Sequence, residues 1–234
     1  MEGLRGFAAL LVFFVHFHSI FEKYVPDERI SAPIRFMASI GHVGVDLFFV
    51  LSGFLVYGIV MRSGFRFTPY FSRRIQRLYP VFVVVLGIYI LLSYLFPDHS
   101  KLPSNATNLI PYILANIAML PGMIRITPII TVSWSLSYEW FFYLILPIAF
   151  AALGMRKWKF KWRIAFWIAL VSAYWLAFSF GLIPHPRLLL FVSGILVWEV
   201  KANTYLISRL ASWGETITSF AFIGVLIFIW MSRS

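Results

Sequence analysis

The sequence predicts an all-α fold, a polytopic transmembrane helical bundle of about seven spans, and three observations carry that prediction. Hydrophobic residues make up 61% of the 234, charged residues only 12%, and the mean hydropathy is +0.84. A soluble globule needs about twice that charged fraction to cover its surface. The apolar residues gather into runs close to the ~20 residues that a bilayer core requires. The basic residues lie between those runs, not on one hydrated face, so the net charge of +11 points to loops beside anionic headgroups and away from nucleic acid. With no cysteine, disulfides, thiolate catalysis and cysteine-ligated metals are excluded, and no metal site is expected.

Residues 5–21 form the first span, because 6–20 is apolar and the FEKYVPDER that follows lacks the small-residue site of a cleavable signal. Residues 43–61, 78–96, 132–153 and 164–183 are each long enough to cross. The run 188–200 reaches only about 20 Å as a helix, which suits a tilted or re-entrant segment. A last span covers 216–231. Residues 110–123 are apolar but broken by Pro111 and Pro121, which favours the interface over a crossing, and 97–108 reads as a polar outer loop. No repeat or linker interrupts the chain, so 1–234 reads as one membrane domain. An N-inside topology places Arg5, Arg62, Arg66, Arg73, Arg74, Arg77, Arg156, Lys157, Lys159, Lys161, Arg163, Lys201 and Arg209, thirteen of the 20 Lys and Arg, in the cytoplasm.

His16, His18, Asp46 and Glu139 fall at membrane depth, where ionisable groups are costly and mark functional paths. Arg5 and His16 share a helix face about 16 Å apart along the axis, with His18 nearly opposite. In the N-inside orientation His16, Asp46 and Glu139 all lie roughly 5 to 10 Å below the outer surface, and three titratable groups at one depth read as a site. Blander readings stand beside this one. A lone histidine can be held by a neighbouring carbonyl, Asp46 can pair with an arginine or with His42, and Glu139 can be a packing group. Ser133, Ser135, Ser137 and Trp134 also fit an N-cap and an interfacial anchor. Arg73 and Arg77 share a helix face at the membrane edge, where paired guanidinium forks suit a phosphorylated ligand such as coenzyme A, although the same loop also sets topology. The stretch RKWKFKWR, 156–163, reads as headgroup anchoring.

Four segments together resemble the acyltransferase 3 family of membrane proteins. They are Leu4-Arg5-Gly6 with His16; Gly44-Val45-Asp46-Leu47-Phe48-Phe49-Val50-Leu51-Ser52-Gly53-Phe54; Phe71-Ser72-Arg73-Arg74-Ile75-Gln76-Arg77-Leu78-Tyr79-Pro80; and Trp134-Ser135-Leu136-Ser137-Tyr138-Glu139 with Phe142-Tyr143. Similarity is weaker over Phe191 to Gly194. The resemblance implies a multi-pass enzyme of the bacterial inner membrane, N-terminus cytoplasmic, that acylates a hydroxylated acceptor such as an extracytoplasmic carbohydrate. Acyl-CoA, commonly acetyl-CoA, would be the donor co-substrate, with no permanently bound cofactor; the partners are the lipid bilayer, donor and acceptor. It further implies that His16 is catalytic with Asp46 and Glu139 in support, that Arg5, Arg73, Arg74 and Arg77 hold the donor, and that Trp134, Ser135 and Ser137 contact substrate. Family members have about ten spans, so roughly three helices beyond Met231 are expected.

A thioester is already activated, so what remains is to remove the acceptor hydroxyl's proton and to place the reactants. Neutral His16 suits a general base whose tautomer Asp46 or Glu139 would fix, and a covalent acyl-histidine route is equally compatible. Two other classes compete: a transporter of a small carboxylate or glycan, since intramembrane His and carboxylates also couple protons, and a catalytically inactive truncated homologue.

Overall fold

Apolar chain in lipid has no water to satisfy its backbone, so each segment must bond within itself, and the helix is the form that does so. A computed structural model of the chain describes residues 2–24, 28–103, 105–124, 126–182 and 186–203. Seven α-helices are present among them: α1 Glu2–Tyr24, α2 Glu28–Met61, α3 Phe67–Leu95, α4 Ala106–Ile117, α5 Ser133–Ala152, α6 Phe160–Ser179 and α7 Leu188–Ala202. Short 3-10 turns cover Pro97–His99 and Met155–Lys157, and among the described residues the only β-type pairing is an isolated bridge between Pro121 and Ile124. Among the described residues four helical stretches are long and apolar enough to cross a membrane: Ser39–Met61, Phe67–Leu95, Ser133–Ala152 and Phe160–Ser179. The apolar part of α1, Gly3–His18, is shorter, and the span expected at 216–231 lies outside the described residues.

Two boundaries differ from the hydropathy reading for a physical reason. Helix α2 starts at Glu28, not 43, and α3 at Phe67, not 78. Both extensions interleave charged and polar residues with apolar ones, which lowers their hydropathy while they still continue the helix. In α3 the extension holds Arg73, Arg74 and Arg77, and Pro69 sits in the first turn, where a missing N–H costs nothing.

The chain divides into two compact units, Met1–Gly58 with Trp158–Ser234 and Ile59–Lys157. In the first, glycines let helix backbones meet. A side chain at Gly53 would run into the Phe191 carbonyl and one at Gly194 into the Val50 carbonyl, so α2 and α7 touch reciprocally, with the Phe49 and Phe191 rings 4.7 Å apart beside the contact. Gly41 and Gly44 of α2 likewise face Leu11, Val15 and Ala8 of α1. In the second unit the core comprises Phe82, Leu86, Met119, Ile129 and Ile130. Trp140 of α5 packs on Phe71 and Tyr79 of α3, with ring centroids 5.0 and 5.2 Å away. Buried Asn116 joins α4 to the loop before α5: its Nδ2 donates to the Tyr112 carbonyl at 3.0 Å and its Oδ1 accepts from the Ile129 N–H at 2.9 Å.

Candidate functional site

In the second unit the sharp turn from α2 to α3 makes a cationic hollow. Gly64 takes φ +78, a left-handed conformation that favours glycine, and this lets the chain reverse within a few residues. The resulting cavity, of about 470 Å³, is lined by Arg62, Arg66, Arg73, Arg74 and Arg77 together with Phe65 and Tyr70, with no carboxylate among the described residues that line it. Arg73 and Arg77 are exposed, whereas Arg74, between them in sequence, is buried at 9% exposure. The three arginines expected to act together therefore do share one cavity. Arg62 and Arg66, read from sequence only as topology signals, line it as well.

Arg74 also reaches the α3–α5 contact. Its guanidinium carbon lies 4.6 Å from the Tyr143 ring centroid and 5.5 Å from that of Tyr70. The Tyr70 hydroxyl donates to the Tyr143 carbonyl at 3.3 Å, and the Tyr143 hydroxyl donates to Glu139 Oε1. A chain of contacts thus runs from the cavity wall to the Glu139 carboxylate. Tyr70 was not singled out from sequence, and Tyr143 entered only as part of the Phe142-Tyr143 motif, with no role assigned. Their signal was available in the i, i+4 spacings Tyr70/Arg74 and Glu139/Tyr143, which place each pair on one helix face.

The serines before Glu139 do not cap α5. Its N-cap is Val132, without a side-chain bond, while Ser135 Oγ donates to the Val132 carbonyl at 3.1 Å and Ser137 Oγ to the Ser133 carbonyl at 3.2 Å. This corrects the N-cap reading: these hydroxyls bond backwards along the helix. Trp134 packs over the Gly122 turn and meets the Tyr138 ring edge-on, with centroids 6.1 Å apart.

In the first unit α1 carries Arg5, partly buried, His16, exposed, and His18, partly buried. His16 Nδ1 lies 2.8 Å from the Val12 carbonyl oxygen. A carbonyl can only accept, so Nδ1 bears the proton and Nε2 the basic lone pair. The Val12 carbonyl thus favours this tautomer from within the same helix. The expected common depth of His16 and Asp46 is also corrected. Gly41 faces Leu11 and Val15, and Gly44 faces Ala8 and Leu11, so α1 and α2 run antiparallel in a register that sets Asp46 opposite the Ala8 turn. Asp46 is then about two turns, roughly 11 Å along the axis, from the level of His16 and within about a turn of Arg5. The difference arises because α2 begins at Glu28, well before residue 43, so Asp46 lies deep within the helix. The His42 side chain lies outside the described residues.

Two arginines of the 156–163 stretch, Arg156 and Arg163, also serve the protein's own structure, while Lys157, Lys159 and Lys161 are exposed. Arg156 donates through Nε and Nη2 to the Val60 carbonyl at 3.0 and 2.6 Å, closing the end of α2. In the first unit Arg163 grips Glu199 of α7, Nε to Oε1 at 2.5 Å and Nη2 to Oε2 at 2.9 Å, and the Tyr57 hydroxyl donates to the same carboxylate. Glu199 is fully buried and was missed in the sequence because it lies at the end of the shortest apolar run. No grouping of three or more His, Asp or Glu suited to a metal occurs among the described residues.

The family model described as Acyltransferase domain matches residues 1–233. The chain is 31% identical over 150 residues to acyltransferase MdmB of Streptomyces mycarofaciens, covering 63% of this chain and 38% of that one. It is 28% identical over 201 residues to exopolysaccharide production protein ExoZ of Rhizobium meliloti, covering 80% and 61%. With peptidoglycan O-acetyltransferase OatA of Listeria monocytogenes it shares 28% over 193 residues, 75% of this chain and 28% of the relative. The chain therefore spans less than two thirds of the length of each of these relatives. No solved structure matches.

Proposed function

The chain belongs to the acyltransferase domain family, and from that premise we propose that it is a membrane O-acyltransferase taking acetyl or another acyl group from acyl-CoA to a hydroxyl of an extracytoplasmic carbohydrate or related acceptor. The observation that carries this reading is the cavity of five arginines. Coenzyme A presents a diphosphate and a phosphomonoester, and planar guanidinium forks bind such groups through two parallel bonds each. Phe65 and Tyr70 add flat apolar surface to the same wall. The polymer acceptor is supported by two relatives, one named for exopolysaccharide production and one for peptidoglycan O-acetylation.

In this reading His16 Nε2 removes the acceptor hydroxyl's proton as the oxygen attacks the thioester carbonyl. The carbon–sulfur bond breaks, and the proton passes to the departing thiolate, giving free coenzyme A and an ester. In the covalent variant Nε2 attacks first and the acceptor oxygen then displaces the imidazole. Both routes need the tautomer that the Val12 carbonyl selects. By the family resemblance Glu139 and Asp46 are assigned support of the reaction, Arg5 a part in binding the donor, and Trp134, Ser135 and Ser137 contact with substrate. The enzyme is multi-pass in a bacterial inner membrane, N-terminus inside, with about seven spans when the stretch 216–231 is included.

The test is turnover of radiolabelled acetyl-CoA by the purified protein in lipid nanodiscs, with a soluble glycan acceptor. His16→Asn is expected to bind coenzyme A normally while transfer falls about 100-fold or more, and His18→Asn to lose a few-fold at most. Near-normal transfer by His16→Asn contradicts the assignment of the base. Failure of the unaltered protein to consume acetyl-CoA contradicts the function.

A further inference from the structure

Tyr143 has no part in the reaction just described, yet it is where the arginine cavity and the Glu139 carboxylate meet. The residue is 2% exposed, and every face of it is engaged. Its hydroxyl donates to Glu139 Oε1, its ring carries the Arg74 guanidinium at 4.6 Å, and its main-chain carbonyl accepts the Tyr70 hydroxyl at 3.3 Å. Arg74 and Tyr70 themselves line the cavity. A phenol has one proton to give. Given to Glu139, it fixes one carboxylate oxygen and with it the side-chain rotamer. An anion entering the cavity competes with the two rings for Arg74, so donor binding acts on the cation that holds the ring.

We propose that Tyr143 is a positioning residue that holds the Glu139 carboxylate in one orientation and, through Arg74 on its ring, links that orientation to occupancy of the arginine cavity. The inference rests on reading that cavity as the acyl-CoA site and Glu139 as part of the reaction. Tyr143→Phe separates the two functions of the side chain, because it keeps the ring beneath Arg74 and removes only the hydroxyl. A residue that merely packs would change stability alone. A positioning residue changes kcat through Glu139 and leaves the donor's KM in place.

The experiment has two arms on the full chain. In the first, kcat and KM for acetyl-CoA are measured for Tyr143→Phe, Glu139→Gln and the double variant. Tyr143→Phe is expected to keep KM within about two-fold while kcat falls about ten-fold or more. Added to Glu139→Gln, it should change kcat by less than about two-fold, because the group it positions is gone. The second arm follows covalent labelling of Glu139 by dicyclohexylcarbodiimide, read by mass spectrometry, and requires no turnover. Tyr143→Phe should label about three-fold faster or more, and coenzyme A should alter labelling in the parent but not in the variant. Effects of the two substitutions on kcat that multiply, a change confined to KM, or labelling indifferent to Tyr143→Phe would overturn the proposal. If the parent protein turns over no acetyl-CoA, the functional reading fails, while the labelling arm still decides whether Tyr143 holds Glu139.

Discussion

At position 74 an arginine meets two demands that a lysine cannot meet together. Its flat guanidinium lies over the Tyr143 and Tyr70 rings, and its side chain forms part of the wall of a cavity suited to phosphate. Arg74→Lys keeps the charge but loses the stacking plane and the fork. The KM for acyl-CoA should then rise about ten-fold, measured by steady-state kinetics or by coenzyme A titration. The exposed pair behaves differently. Arg73→Gln with Arg77→Gln removes two charges in contact with solvent, so donor affinity should fall and become less sensitive to salt between low and physiological ionic strength. Unchanged affinity and salt slope would reduce these two residues to topology signals. Arg73, Arg77, Glu139 and His16 were legible in the sequence because a charge within apolar chain, or a repeat at helical spacing, stands out by itself. The role of Tyr143, named only within a motif, was not, since a tyrosine among aromatics looks like packing until its hydroxyl has a partner. The role of Val12 was invisible for a different reason: the group that acts is a backbone carbonyl, which every residue has.

Between elements, the fold rests on contacts of two kinds. Glycines bring α2 against α7, and the Arg163–Glu199 pair with Tyr57 ties α6, α7 and α2 together. Arg163 is 12% exposed at its side chain and Glu199 0%, so removing one partner strands a charge away from water. Glu199→Ala should lower stability by about 3–5 kcal/mol, read from denaturant unfolding in micelles. Arg163→Met combined with Glu199→Leu should lose much less, because no charge is then left unpaired. Equal losses for the single and double variants would show that packing, not charge compensation, holds these helices. Helix existence was legible from hydropathy because lipid forces apolar chain to helix. Helix ends were not. The mixed first turns of α2 and α3 carry a weak hydropathy signal, and overlooking that length in α2 put Asp46 at the level of His16, from which it stands about two turns away.

For the whole molecule, loop charge sets the expected orientation, and the sequence has no cysteine, which gives a clean background for labelling. Ile75→Cys should react with an impermeant maleimide only from the cytoplasmic side and Lys101→Cys only from outside. The reverse pattern would invert the topology. The helical class and the membrane setting were readable from composition alone, whereas the arginine cavity needed the turn at Gly64 to gather five arginines around one space. The central claim is that this chain passes an acyl group from a donor held by those arginines to an acceptor hydroxyl on the other side. The most direct measurement uses proteoliposomes of one orientation, with radiolabelled acetyl-CoA supplied on one side and a glycan acceptor on the other. Labelled ester is expected only when the donor is on the side where Ile75→Cys is modified, and it should be lost with Arg73→Gln and Arg77→Gln. Ester formation indifferent to the side of the donor, or absent on both, would contradict the account.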